Sequence, residues 1–143
     1  MTATRRADSM WEKDLVHGSG RVKLGSNAIS EFPITWASRI EQPGGKTSPE
    51  ELLAAAQAAC YAMAFSATLA RKNKPPERLD VRAECTFDEK ALKVTTMSIR
   101  VTGKVSGMTN GEFQAAAEEA EKICPISGAI RNNVSISLSA DLA

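Results

Sequence analysis

The chain has 143 residues, with 18 Lys and Arg against 17 Asp and Glu, one histidine and three cysteines. That length suits a single domain, residues 1–143, whose core needs no disulfide staples. A hydrophobic share of 43% excludes a disordered chain, and a net charge of +1 with 5% aromatic residues argues against a nucleic-acid or acidic-membrane surface.

The three cysteines form no CxxC, and His17 is the only histidine, so the usual four-ligand zinc pattern is missing. Neither a metal nor a bound cofactor is expected. The basic start of the chain is not followed by an apolar run, so no signal peptide is visible. A cytoplasmic, reducing compartment is the expectation, where thiols are reactive or buried rather than stapled.

In chain order, Trp11 to Val16 reads as a short strand, His17 to Gly20 as a turn, and Arg21 to Leu24 as the returning strand of a hairpin. Pro33, within an extended run from Ile29 to Ile34, points to an edge strand or irregular chain. Gln42-Pro43-Gly44-Gly45-Lys46 reads as a flexible loop. The strongest helix start follows. Ser48 is placed to cap, Pro49 to open the helix and Glu51 to close a capping box. This helix should run from about residue 49 to residue 72, ahead of Pro75-Pro76.

Leu52 to Ala70 carries no charge, which is long enough to span a bilayer. Nine of its residues are alanine, and Gln57, Ser66 and Thr68 interrupt it, so it reads as a buried central helix. Apolar on all sides, it needs cover on all sides, which a dimer supplies more easily than one small domain.

Leu79, Val81, Ala83, Cys85 and Phe87 then alternate with polar residues as a half-buried strand. The strand returning through Val94, Met97, Ile99 and Val101 slips phase after Val94, the mark of a bulge. A second helix is expected over residues 110–123, capped by Thr109 with Glu112, and a last strand from Val134 to Ala140. The pattern is α+β: an antiparallel β-sheet with a long central buried helix and a shorter second one.

Cys85 falls on the inward phase of its strand and reads as a small buried hydrophobe. Cys60 lies mid-helix, beyond the reach of the helix dipole, and would need a nearby cation to become a thiolate. Cys124 is followed at once by Pro125, which disfavours helical geometry at the cysteine and leaves a thiol at a backbone break.

The run from Thr47-Ser48-Pro49-Glu50-Glu51 to Ala58-Ala59-Cys60, with Cys124-Pro125-Ile126-Ser127 far downstream, resembles the osmotically inducible protein C (OsmC) and organic hydroperoxide resistance family. The likeness extends over most of the chain. It implies an intertwined homodimer and a cysteine-based peroxidase that reduces organic hydroperoxides in stress defence. By position, Cys60 is similar to the peroxidatic cysteine, Cys124 to the resolving one, and Glu50 to the glutamate of a Pro-Glu motif. The arginine is Arg39 if the OsmC branch applies, as the overall match favours, and Arg21 if the other branch does. Gln57 stands where many members have histidine.

The implied chemistry suits these residue types. A thiolate attacks the distal peroxide oxygen, leaving a sulfenic acid that a second thiol converts to a disulfide. Arginine stays charged and can both steady the thiolate and donate to the peroxide, while a carboxylate orients the guanidinium. The expected partners are a hydroperoxide, an external thiol or dithiol reductant (a lipoyl type among them) and a second copy of the chain. Ten residues of helix put Glu50 about 15 Å along the axis from Cys60, so a shared site would draw Glu50 from the other chain. The competing readings are a non-enzymatic stress or binding protein of the same fold, and a thiol redox sensor or acyl carrier.

Overall fold

Local hydrogen-bond chemistry decides where the early elements begin and end. The computed structural model describes residues 1–143 and comprises two units, Met1–Leu52 and Leu53–Ala143. The first holds an antiparallel sheet in the order β1 (Ala7–Glu12), β2 (Ser19–Leu24), β3 (Phe32–Ile34). Its first strand lies earlier than the expected Trp11–Val16. Beyond Glu12 the chain turns, because the Asp14 carboxylate accepts from the N–H groups of Val16 at 3.0 Å and His17 at 2.9 Å. Such side-chain acceptors compete with the strand ladder. Gly18 closes this turn where a Cβ would sit 2.3 Å from the Asp14 carbonyl oxygen. Pro33 occupies the edge strand β3, as its missing N–H requires.

A short helix, α1 (Trp36–Ile40), follows, with a capping box between Thr35 and Ser38. Arg39 therefore lies on a helix rather than in a loop. The long helix α2 (Pro49–Arg71) starts at the proline, and Ser48 caps it by accepting from the Glu51 N–H at 3.1 Å. The Glu51 carboxylate accepts instead from the Thr47 hydroxyl at 2.6 Å, so the expected reciprocal box does not form.

From Leu53 onward, α2 packs with a second sheet ordered β4 (Arg78–Asp88), β5 (Lys93–Lys104), β6 (Ser135–Leu142). Strands β4 and β5 are antiparallel, and the expected bulge is present: Thr86 faces Thr96 and Phe87 faces Val94, leaving Thr95 as the extra residue. Strand β6 runs parallel to β5, which corrects the all-antiparallel expectation. The crossover that a parallel neighbour requires is made by α3 (Asn110–Ile123) and α4 (Pro125–Ile130). α3 has the expected bounds and the Thr109–Glu112 capping box.

The core of this unit joins Tyr61, Phe65 and Leu69 of α2 to Met97, Ile99 and Val101 of β5 and to Phe113 of α3. The Phe65 and Phe113 rings lie 4.9 Å apart. Helix α2 is not buried all round. Ala55, Ala59, Met63 and Ala67 are exposed, Met63 at 74%. The helix is long and apolar enough to cross a membrane. Its inward face, however, carries polar groups, and the Tyr61 hydroxyl donates to the Ala117 carbonyl at 2.9 Å.

Candidate functional site

Pro125 creates the break that presents Cys124. Helix α3 ends at Ile123, and Cys124 takes extended backbone, φ −65° and ψ 117°, before α4 restarts the helical path. Its N–H still donates to the Ala120 carbonyl at 3.0 Å, and its own carbonyl accepts from Gly128 at 2.9 Å. The thiol is thereby pinned on both sides, and Cys124 is 1% exposed.

Cys60, in the middle of α2, faces it. The two Sγ atoms are 3.3 Å apart. That is S–H···S contact, well beyond the ~2.05 Å of a disulfide bond. Residues 64 positions apart in sequence thus meet as a reduced pair poised for bond formation. Cys85 has no part in this: it sits on β4 opposite Met97, against the core.

Burial pushes the Cys60 thiol above its ordinary pKa. Burial pushes Cys124 the same way, but N–H and O–H donors from Ser127, together with the Cys60 thiol and the Ile126 N–H, more than offset it. The Cys124 pKa therefore lies below the usual thiol value. Tyr61, next to Cys60, is also pushed up, mainly by burial.

Gln57, one turn before Cys60, completes the cluster. Its Nε2 donates to Ser127 Oγ at 2.9 Å and lies 3.6 Å from Cys124 Sγ. Gln57 and Ser127 are both fully buried, and Gln57 Oε1 has no hydrogen-bond partner. An orphaned buried acceptor costs about 1–3 kcal/mol. The sequence reading passed over both residues in this role. The available signal was an uncharged polar side chain one turn from Cys60 on an otherwise apolar helix.

In the N-terminal unit, Arg39 and Glu50 form a close ion pair. Arg39 Nε donates to both Glu50 carboxylate oxygens at 3.1 Å, and a terminal nitrogen donates to Oε1 at 2.7 Å. The guanidinium also lies 5.8 Å from the centre of the Trp36 ring. Arg21, the alternative cation, is on β2 in an exposed, longer pair with Glu31 at 3.4 Å.

The family model described as OsmC-like protein matches residues 42–139. The chain is 28% identical over 138 residues to the peroxiredoxin OsmC of Escherichia coli (strain K12), covering 95% of this chain and 96% of that one. It is 32% identical over 129 residues to the organic hydroperoxide resistance protein-like 1 of Staphylococcus epidermidis (strain ATCC 35984), covering 86% and 87%. Among solved structures, the organic hydroperoxide resistance protein OsmC of Legionella pneumophila superposes with a TM-score of 0.76 at 23% identity, over 99% of this chain and 98% of that one.

Proposed function

Because the chain belongs to the OsmC-like protein family, we propose that it is a cysteine-based peroxidase that reduces organic hydroperoxides to alcohols in stress defence. The observation that carries this reading is the 3.3 Å contact between the Cys60 and Cys124 sulfurs. Cys60 is the partly exposed member and Cys124 the buried one, which suits attack on a substrate by the first and resolution by the second. Cys60 takes the distal peroxide oxygen and becomes a sulfenic acid, and the alkoxide leaves as the alcohol. Cys124 then attacks the Cys60 sulfur, forming a disulfide and expelling hydroxide. An external dithiol returns two electrons and two protons.

Because burial raises the Cys60 thiol, attack needs a cation to steady the thiolate as it forms. Arg39 fills that role, oriented by the carboxylate of Glu50. Arg39 is favoured over Arg21 by its tight pairing with the buried Glu50. The working form is a homodimer in which the Arg39–Glu50 pair of one protomer serves the thiols of its partner. The uncovered apolar face of α2 supports this, as does the helical span of about 15 Å between Glu50 and Cys60.

Turnover of an alkyl hydroperoxide by the pure protein with a dithiol tests the reading, with hydrogen peroxide as the comparison. Cys60→Ser abolishes turnover, Cys124→Ser stalls after about one equivalent, and Cys85→Ser stays active. Oxidation of Cys60 without turnover would mark a redox sensor instead. Under subunit exchange, Cys60→Ser mixed with Glu50→Ala regains partial activity if the site is shared between protomers.

A further inference from the structure

Helix α4 has six residues, too few for a helix to stand by itself in water. Its position, and with it that of its N-cap residue Cys124, depends on what ties it to its neighbours. From α2 the tie is Gln57, which donates to Ser127 Oγ at 2.9 Å. From α3 it is Glu121. One guanidinium nitrogen of Arg131, the residue that ends α4, donates to the Glu121 carboxylate at 2.7 Å and to the Glu121 carbonyl at 2.9 Å. That carbonyl has a second donor, because the Cys124 N–H lies 3.3 Å from it. A cation near a helix C-terminus commonly satisfies an unpaired carbonyl. Here the cation reaches back across the break from the far end of α4, and the carbonyl it grips is one from which the cysteine hangs. The intervening chain is closed by the Gly128 N–H on the Cys124 carbonyl at 2.9 Å and the Arg131 N–H on the Ser127 carbonyl at 2.8 Å. The ion pair is partly shielded, with 18% of the Glu121 side chain and 37% of the Arg131 side chain exposed, so it keeps more of its strength than a fully solvated pair.

We propose that Arg131 is a positioning residue of the resolving step: by gripping Glu121 across the α3–α4 break, it keeps Cys124 within bonding reach of Cys60. The proposal rests on the peroxidase reading and deepens it by naming what sets the rate of resolution. The two sulfurs have to close from 3.3 Å to the ~2.05 Å of the bond. In that step Cys124 attacks the Cys60 sulfenic sulfur, the S–O bond breaks and hydroxide leaves. A group already held near its target reacts as though highly concentrated, and one that wanders loses this gain. The earlier step, attack of Cys60 on the peroxide, does not use Cys124, so the clamp leaves it alone. A sulfenic acid that waits unresolved meets a second peroxide and becomes sulfinic acid. Arg131 thereby decides how often Cys60 is resolved before it is over-oxidised.

Arg131→Met removes both donated bonds and keeps an apolar stem, while Glu121→Gln keeps the carbonyl bond and weakens the other, so one poorly folded variant does not decide the matter. The first measurement needs no peroxide. The reduced protein is equilibrated with glutathione, where one oxidised glutathione takes two electrons and two protons from Cys60 and Cys124 and becomes two thiols. The equilibrium constant for the disulfide is expected to fall about tenfold in Arg131→Met, or ~30 mV, and about threefold in Glu121→Gln. The second measurement is rapid mixing with tert-butyl hydroperoxide. Formation of the Cys60 sulfenic acid stays within about twofold of the parent, its conversion to the disulfide slows by the same factors as the equilibrium, and sulfinic acid accumulates. Arg131→Lys, which can reach one of the two acceptors, recovers part of both losses. Disulfide constants equal to the parent's in the variants that fold, or sulfenic acid formation slowed as much as disulfide formation, overturn the proposal. If the parent turns over no hydroperoxide, the peroxidase reading fails, while the glutathione equilibrium still decides the clamp.

Discussion

The two units are held together by different physics. Every buried hydrophobic residue, from Tyr61 to Ala140, belongs to Leu53–Ala143. In Met1–Leu52 the buried side chains are polar: Ser38, Thr47 and Glu50. Met10, Trp11, Leu15, Val16 and Ile29 of that unit are exposed, and Phe32, Ile34, Trp36 and Ile40 are only half-buried. One unit therefore rests on apolar burial, and the other on caps, turns and the largely buried Arg39–Glu50 ion pair. The difference is useful for chemistry. A packed core can set two thiols within a fixed distance, whereas a charged guanidinium needs a setting where its partner is polar and water is near.

The largest expected effect tests the apolar side of this contrast. Phe113→Ala empties the space beneath Phe65 and should cost about 3–5 kcal/mol in denaturant unfolding. Trp11→Ala, on the exposed first strand, should cost less than about 1 kcal/mol for the isolated chain. Equal losses would abolish the distinction. Next in size, Arg39→Ala leaves the buried Glu50 carboxylate without its guanidinium, a loss of about 1.5–3 kcal/mol. Amide exchange should show it locally, in α1 and the first turn of α2, with the sheet of the other unit unchanged.

Tyr61→Phe removes the hydrogen bond to the Ala117 carbonyl and should cost about 1 kcal/mol, read as a lower denaturant midpoint. The smallest effect concerns Glu112, whose carboxyl lies below its ordinary value of 4.5, chiefly because the Thr109 backbone N–H donates to it. A depressed folded-state pKa stabilises fully above 4.5 and fades as pH falls through the lower folded value. The melting-temperature difference between the parent and Glu112→Gln should therefore shrink to nothing in that acid window.

Chain signals of one or two turns were legible where a single residue enforces them. Ser48 and Pro49 start α2, Thr109 and Glu112 start α3, and Pro125 ends the helical path at Cys124. The phase slip after Val94 located the bulge at Thr95. Helices α1 and α4 escaped because five and six residues are too few to show a helical period. The displaced first strand escaped because Asp14 spends its carboxylate on a turn, a choice that alternation of apolar residues does not report.

By itself, then, the sequence determined the longer elements and the capping residues of α2 and α3, since these depend on neighbours a few residues apart, while the Arg39 and Glu50 candidates came from the family resemblance. Only the tertiary structure decided the direction of β6, for alternation tells which face a residue takes and says nothing of strand sense. Only it brought Cys60 within 3.3 Å of Cys124, and Gln57 within 2.9 Å of Ser127, across 64 and 70 residues. Contacts of that span are set by how α2, α3 and α4 pack over one core.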